Sequence, residues 1–110
     1  MFLVINNNNI AIDNDGYLKD IKQWSPEVAI AIAAQENIQI SDAHWEIIYL
    51  LHDFYREFEI SPAMRALVKY VDKKLGPSKG KSVYLLQLFP ASPAKLACKI
   101  AGLPRPTNCL

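Results

Sequence analysis

Two cysteines, Cys98 and Cys109, stand eleven positions apart in the last sixteen residues of the chain. Both cysteines of the protein lie in this stretch. A thiol reacts as its thiolate, and an unperturbed thiol of pKa about 8.5 is only a few per cent ionised at neutral pH. The α-carboxylate of Leu110, next to Cys109, raises that pKa. Arg105, Lys95 and Lys99, or a basic cleft on a partner, lower it. Cys109 is therefore expected to be a modest nucleophile alone and a better one when docked. Cys98 sits beside Ala97 and Ile100 in a segment that reads as helix, and by itself it has the look of a buried, apolar cysteine.

The elements around the cysteines decide how they are presented. Ser92-Pro93 starts a last helix that carries Cys98, and Gly102 ends it, since glycine accepts a positive φ without steric cost. Pro104 and Pro106 keep the following chain extended. The seven steps from Gly102 to Cys109 span roughly 20–25 Å when extended. The expectation is a globular unit over residues 1–102, hinged at Gly102 to a mobile arm, residues 103–110, that carries Cys109.

Upstream, the patterns are those of an α+β domain. Phe2–Asn6 and Ile10–Ile12 read as short strands joined by the asparagine turn Asn6–Asn9, and Tyr17-Leu18, after the turn Asp13–Gly16, reads as a third. Ser25-Pro26-Glu27 opens a helix that Asn37 stops. Ser41 caps a longer one, with Trp45, Ile48, Tyr49, Leu51, Tyr55 and Phe58 at three- and four-residue spacing. Ser61-Pro62 opens a third, with Met64, Leu67, Val68 and Val71 inward and its end near Gly76-Pro77. Ser82–Phe89 reads as a short fourth. A three-stranded antiparallel meander packed against about five helices is expected.

The 110 residues, 51% of them apolar, suit one domain with a real core. No apolar run approaches the ~20 residues that span a bilayer, and Met1–Asn6 lacks the basic segment of a signal peptide, so a cytoplasmic protein with no membrane partner is expected. A stable structural disulfide is out of place there. The net charge of +1 conceals an asymmetry. Residues 1–60 hold ten acids and three bases, and residues 61–110 hold one acid and nine bases. The half with the cysteines thus offers a basic face to an acidic partner or to phosphate, Lys79 and Lys81 included. His44 and His52, eight apart, have no companions at zinc-ligand spacing and read as capping or surface histidines. No phosphate-binding glycine loop or Ser-His-Asp order is present, and neither metal nor organic cofactor is implied. Arg65, Lys69, Lys73 and Lys74 on the third helix leave a helix-turn-helix, nucleic-acid-binding module as a competing reading.

The run Cys98-Lys-Ile-Ala-Gly-Leu-Pro-Arg-Pro-Thr-Asn-Cys109-Leu resembles the DsrC/TusE family of sulfur-relay proteins. So do Asp15-Gly16-Tyr17-Leu18, Asp42-Ala43-His44-Trp45-Glu46, Asp53-Phe54-Tyr55, Ser61-Pro62-Ala63 and Leu88-Phe89-Pro90 with Pro93-Ala94-Lys95. The resemblance implies a sulfurtransferase in the loose sense, a carrier holding sulfur as a persulfide on Cys109. It implies that Cys98 can form a disulfide or trisulfide with Cys109, for which a bend in the tail must bring the two Cα atoms within ~5.5–6 Å. In the TusE branch the partners are a TusBCD-like donor complex and an MnmA-like thiouridylase that works on tRNA, so that tRNA is met indirectly. In the DsrC branch the partner is dissimilatory sulfite reductase. Cys98 points to the second branch. Asn108, in place of the glycine usual in DsrC, points to the first, which is favoured.

Overall fold

A computed structural model describes residues 1–107. The chain opens with a hairpin of β1 (Phe2–Ile5) and β2 (Asn8–Ala11), antiparallel, with Leu3 opposite Ile10. Asn6 and Asn7 both have positive φ, +50° and +66°, as a two-residue turn between right-twisted strands requires. Asn8 and Asn9, expected in the turn, belong to β2. Alternation sends Leu3 and Ile10 into the core and leaves Phe2 and Val4 outside.

The sheet has two strands rather than the three expected. Tyr17-Leu18 contributes a single bridge, Ile12 to Leu18. Asp13 is the local cause: its Oδ1 accepts the backbone N–H groups of Asp15 and Tyr17, each at 2.9 Å, and closes a turn that absorbs the would-be strand. Tyr17 and Leu18 are moreover both buried, so consecutive side chains meet protein on both sides instead of alternating.

Five helices come next, as expected: α1 (Pro26–Gln35), α2 (Asp42–Phe58), α3 (Met64–Leu75), α4 (Ser82–Leu88) and α5 (Pro93–Ile100). The Ser25 hydroxyl accepts the Val28 N–H at 3.2 Å, and Pro26 fills the first helical position. α2 begins with His44 Nδ1 accepting the Ser41 N–H at 3.0 Å, while Nε2–H donates to the Leu88 carbonyl at 2.7 Å. One imidazole thus caps α2 and fastens the end of α4 to it. The inward face of α2 is Ile47, Ile48, Leu51 and Phe54, whereas Tyr49 and Phe58 are half exposed. α3 starts at Met64, later than Ser61-Pro62 suggested, because the Ser61 hydroxyl donates to the Pro104 carbonyl instead of capping the helix.

α5 is short and lies at the centre, packed against α1, α2, α3 and α4. Its Ala94, Ala97, Cys98 and Ile100 are 0–1% exposed. Small alanines let the surrounding helices approach closely, and Ile32, Ile47, Ile48, Leu51, Leu67, Leu85 and Phe89 fill the space around them. Among the described residues no helix is long and apolar enough to cross a membrane.

The α3–α4 loop is packed as tightly. A Cβ on Gly80 would lie 2.3 Å from Asp72 Cβ and 2.4 Å from its Cα. Backbone cannot yield as a side-chain tip does, so Gly80→Ala is expected to cost about 1–3 kcal/mol or more, measured as a lowered denaturant midpoint with unchanged m-value.

Candidate functional site at the C-terminal arm

Of the candidate residues read from the sequence, Lys95, Cys98 and Lys99 lie on α5 and Gly102 follows its end. An α-helix leaves its final carbonyls without intrahelical donors, and burying them unpaired is costly. Here the last four in succession are all satisfied. Leu103 N–H bonds to the Cys98 carbonyl at 2.9 Å and Gly102 N–H to that of Lys99 at 3.1 Å, the paired bonds of a Schellman motif. The Trp24 indole Nε1–H donates to the Ile100 carbonyl at 2.9 Å. His52 Nε2–H donates to that of Ala101 at 2.8 Å. Trp24 follows a 3-10 turn at Ile21–Gln23, and His52 lies midway along α2. Their rings meet edge to face at 4.3 Å, with Tyr49 against both.

Gly102, the hinge of the sequence reading, occupies the left-handed C′ position of this motif, with φ +76°. It is buried, and a Cβ there would come within 2.5 Å of Trp24 Cδ1 and 3.0 Å of Leu18 Cδ1. Leu103, counted with the arm, is 1% exposed and belongs to the core. The chain beyond is also held: Pro104 accepts the Ser61 hydroxyl, Arg105 Nη1 lies 3.0 Å from Asp15 Oδ2, and Pro106 is buried. Cys109 lies outside the described residues. Cys98 is on the inward face of α5 and fully buried.

The basic residues fall in two places. Lys95, Lys99 and Arg105 line one groove with Asp15, Tyr17 and Glu36 at the root of the arm. Lys99 Nζ is 2.8 Å from Glu36 Oε1, with its side chain 17% exposed, and stands 5.3 Å over the Tyr17 ring. The Tyr17 hydroxyl donates to the Lys95 carbonyl at 3.1 Å. Lys79 and Lys81 lie apart from these in the α3–α4 loop, where Lys79 pairs with Glu46 of α2 at 2.8 Å. That hydrogen bond is the main cause of its raised pKa. Three of the four ion pairs among the described residues thus join the acidic half to the basic half, so part of the charge asymmetry is spent inside the molecule. Among the described residues no cluster of His, Cys, Asp or Glu is placed to hold a metal.

Sequence reasoning missed Trp24, Asp15 and Ser61 as holders of the arm's root. No local signal marks them, because their partners lie 43 to 90 positions away. His52 was read only as a capping or surface histidine, and its partner, the Ala101 carbonyl, carried no local signal.

The family described as DsrC like protein matches residues 4–110. The chain belongs to this DsrC-like family. A sulfurtransferase TusE homolog of Haemophilus influenzae is 53% identical over 108 residues, covering 98% of the chain and 99% of the relative. The sulfurtransferase TusE of Escherichia coli is 49% identical with the same coverage. Among solved structures, DsrC of Allochromatium vinosum matches with a TM-score of 0.90 and 46% identity, over 99% of this chain and 97% of that one. The oxidized gamma-subunit of the dissimilatory sulfite reductase from Archaeoglobus fulgidus matches with 0.86 and 37%, over the whole of both chains. The DsrC-like fold and its terminal motif therefore occur together in this chain.

Two outcomes test the geometry at this helix end. Gly102→Ala combines a strained φ with a collision on Trp24 and is expected to lower stability by about 2 kcal/mol or more, read from denaturant unfolding. The His52 pKa is lowered from 6.5, chiefly by burial, against the opposing effect of its bond to Ala101. The unfolded chain then binds more protons than the native one, so stability falls as pH drops below about 6.5 and levels off beneath the folded-state pKa. His52→Gln, which cannot titrate, is expected to flatten that part of the stability profile.

Proposed function

We propose that the chain is a TusE-type sulfurtransferase, a carrier that takes up sulfane sulfur as a persulfide on Cys109. It passes the sulfur to an acceptor enzyme in the relay that leads to 2-thiolation of the wobble uridine of tRNA. The observation that carries this reading is identity of about half over nearly the full length of proteins named TusE sulfurtransferase, in a chain that keeps the penultimate cysteine.

The chemistry needs no cofactor. The Cys109 thiolate attacks the outer sulfur of a donor persulfide. The donor's S–S bond breaks, a new S–S bond forms on Cys109, and the donor leaves as a thiolate, with no net oxidation. The loaded sulfur is transferred onward in the same manner. The donor is a TusBCD-like complex, the acceptor an MnmA-like thiouridylase, and tRNA is met through that acceptor. The relay is placed in the cytoplasm, where exposed thiols stay reduced. The groove of Lys95, Lys99 and Arg105 docks the partners at the base of the arm (residues 103–110), and Lys79 and Lys81 form a second basic contact.

Cys98 favours a second reading, that of a DsrC-type gamma subunit of dissimilatory sulfite reductase working through a Cys98–Cys109 disulfide or trisulfide. It has the weaker support. The solved DsrC structures are less similar, at 46% and 37% identity. Cys98 is also buried to 0% exposure, so exchange there requires the helix to open.

Incubation with a persulfide donor is expected to add the mass of one sulfur atom to the intact protein, and Cys109→Ser to abolish the gain. Cys98→Ser is expected to load as the wild type does. Full loading of Cys109→Ser with loss in Cys98→Ser would assign the carrier role to the wrong residue. Loss in both would favour the paired-cysteine reading.

A further inference from the structure

The hairpin of β1 and β2 keeps one edge of its sheet unpaired. We infer that this edge, the outer side of β1, is where the persulfide donor docks, adding an extended, apolar, uncharged segment of its own as a further strand. This rests on the carrier reading of Cys109 and names the surface that the donor uses.

The register shows which main-chain groups face outward. Ile12 N–H donates to the Met1 carbonyl at 3.0 Å, so these two residues are a bonded pair. Bonded and non-bonded pairs alternate along an antiparallel ladder. Leu3 and Ile5 therefore turn their N–H and C=O groups toward β2, and Phe2 and Val4 turn theirs away from it. Among the described residues, those outward groups of Phe2 and Val4 meet no hydrogen-bond partner. Phe2 is 64% exposed and Val4 69%. Proteins ordinarily blunt such an edge with a charge, a proline or a bulge. β1 has none of these. No side chain from Met1 to Ile12 is charged or proline, and the strand pairs with β2 one residue to one. Four unmet main-chain groups beside two exposed apolar side chains make a template for an added strand.

The occupant follows from area, position and charge. A second copy of β1 could pair with this edge, but four residues of strand fall well short of the ~800 Å² per partner of a standard interface. The edge by itself does not hold a second copy. A donor has a further hold. The other side of the β2 segment bridges to Leu18 through Ile12, and Leu18 Cδ1 lies 3.0 Å from where a Cβ on Gly102 would be. A strand added to β1 stands three strand spacings, about 14 Å, from Leu18. A protein docked there is within reach of the groove of Lys95, Lys99 and Arg105, which Asp15 and Tyr17 also line. Charge then favours the donor over the acceptor. The half of the chain that holds the hairpin has ten acids and three bases. That field holds off an enzyme carrying tRNA more than a donor without nucleic acid.

The test reads the edge directly. Amide hydrogen exchange is followed by NMR in the full chain, alone and with the purified TusBCD-like donor complex. The Phe2 and Val4 amides are expected to exchange fast alone and slowly with the donor, while the Leu3 amide, bonded to β2, is slow in both. Val4→Pro removes the outward N–H and leaves the ladder to β2 intact, as proline does on an edge strand. Val4→Lys places a charge on the edge, and Ile30→Lys places one on the exposed face of α1. Both Val4 variants are expected to weaken donor binding about tenfold, and Ile30→Lys to leave it unchanged. Loading of Cys109 from glutathione persulfide, which needs no docking, stays at the wild-type rate in all three. The inference is overturned if the donor leaves the Phe2 and Val4 amides fast, or if Ile30→Lys weakens binding as much as the Val4 variants. Protection that grows with protein concentration in the absence of donor assigns the edge to a second copy and overturns it too, as does protection by the thiouridylase but not by the donor. Where Val4→Pro fails to fold, the wild-type exchange and Val4→Lys decide. If Cys109→Ser still loads sulfur, the carrier reading fails by itself, and the exchange measurement still reports whether the donor occupies the edge.

Discussion

A helix that ends in the middle of a protein must find donors for its last carbonyls, and the architecture around α5 follows from that requirement. Four consecutive carbonyls, from Cys98 to Ala101, are met by two backbone N–H groups and two aromatic-ring N–H groups. Each unmet carbonyl would carry a desolvation cost of about 1–3 kcal/mol, a sizeable fraction of a small domain's stability. The segment before α1 therefore has to bring Trp24 to this point, and α2 has to turn His52 inward midway along its length. Gly102 must be glycine for two reasons at once, the sign of φ and the closeness of Trp24.

The same region shows how a chain with opposed halves holds together. Lys99–Glu36, Arg105–Asp15 and Lys79–Glu46 each pair a base from the C-terminal half with an acid from the N-terminal half. The exposed Arg105–Asp15 contact contributes little to stability on its own. It lies on the arm itself, so its weight falls on where the arm rests. Lys99, more shielded and stacked over Tyr17, ties α5 to the C-terminal end of α1. Within the basic half, Arg65, Lys69 and Lys73 form an exposed stripe along α3, one helical turn apart.

Much of the fold was legible because its punctuation is local. Ser25-Pro26, Ser41 and Gly76 start or stop helices by bonding or steric rules that reach only a few residues, and paired asparagines fix a hairpin by their tolerance of positive φ. Sequence and structure part where a local signal is claimed by a distant partner. Ser61 reads as a helix cap, yet its hydroxyl serves the Pro104 carbonyl. Tyr17-Leu18 reads as a strand, yet Asp13 takes the Tyr17 N–H and the core takes both side chains. The apolar face of α2 lies one position away from where residue types put it, because Tyr49 looks like core but packs around Trp24 and His52 at the margin.

The sequence by itself determined where the two thiols lie in the chain, the helices, the hairpin and the family. Residue type, short-range capping and a terminal motif are all written in consecutive letters. Only the tertiary structure decided that Gly102 is clamped under Trp24, and that the arm's root is gripped by Asp15, Ser61 and His52. Those contacts join residues more than forty positions apart, and such pairings leave no periodicity or spacing in the chain. They exist because buried carbonyls need donors, and the fold supplies whichever side chains it brings within reach.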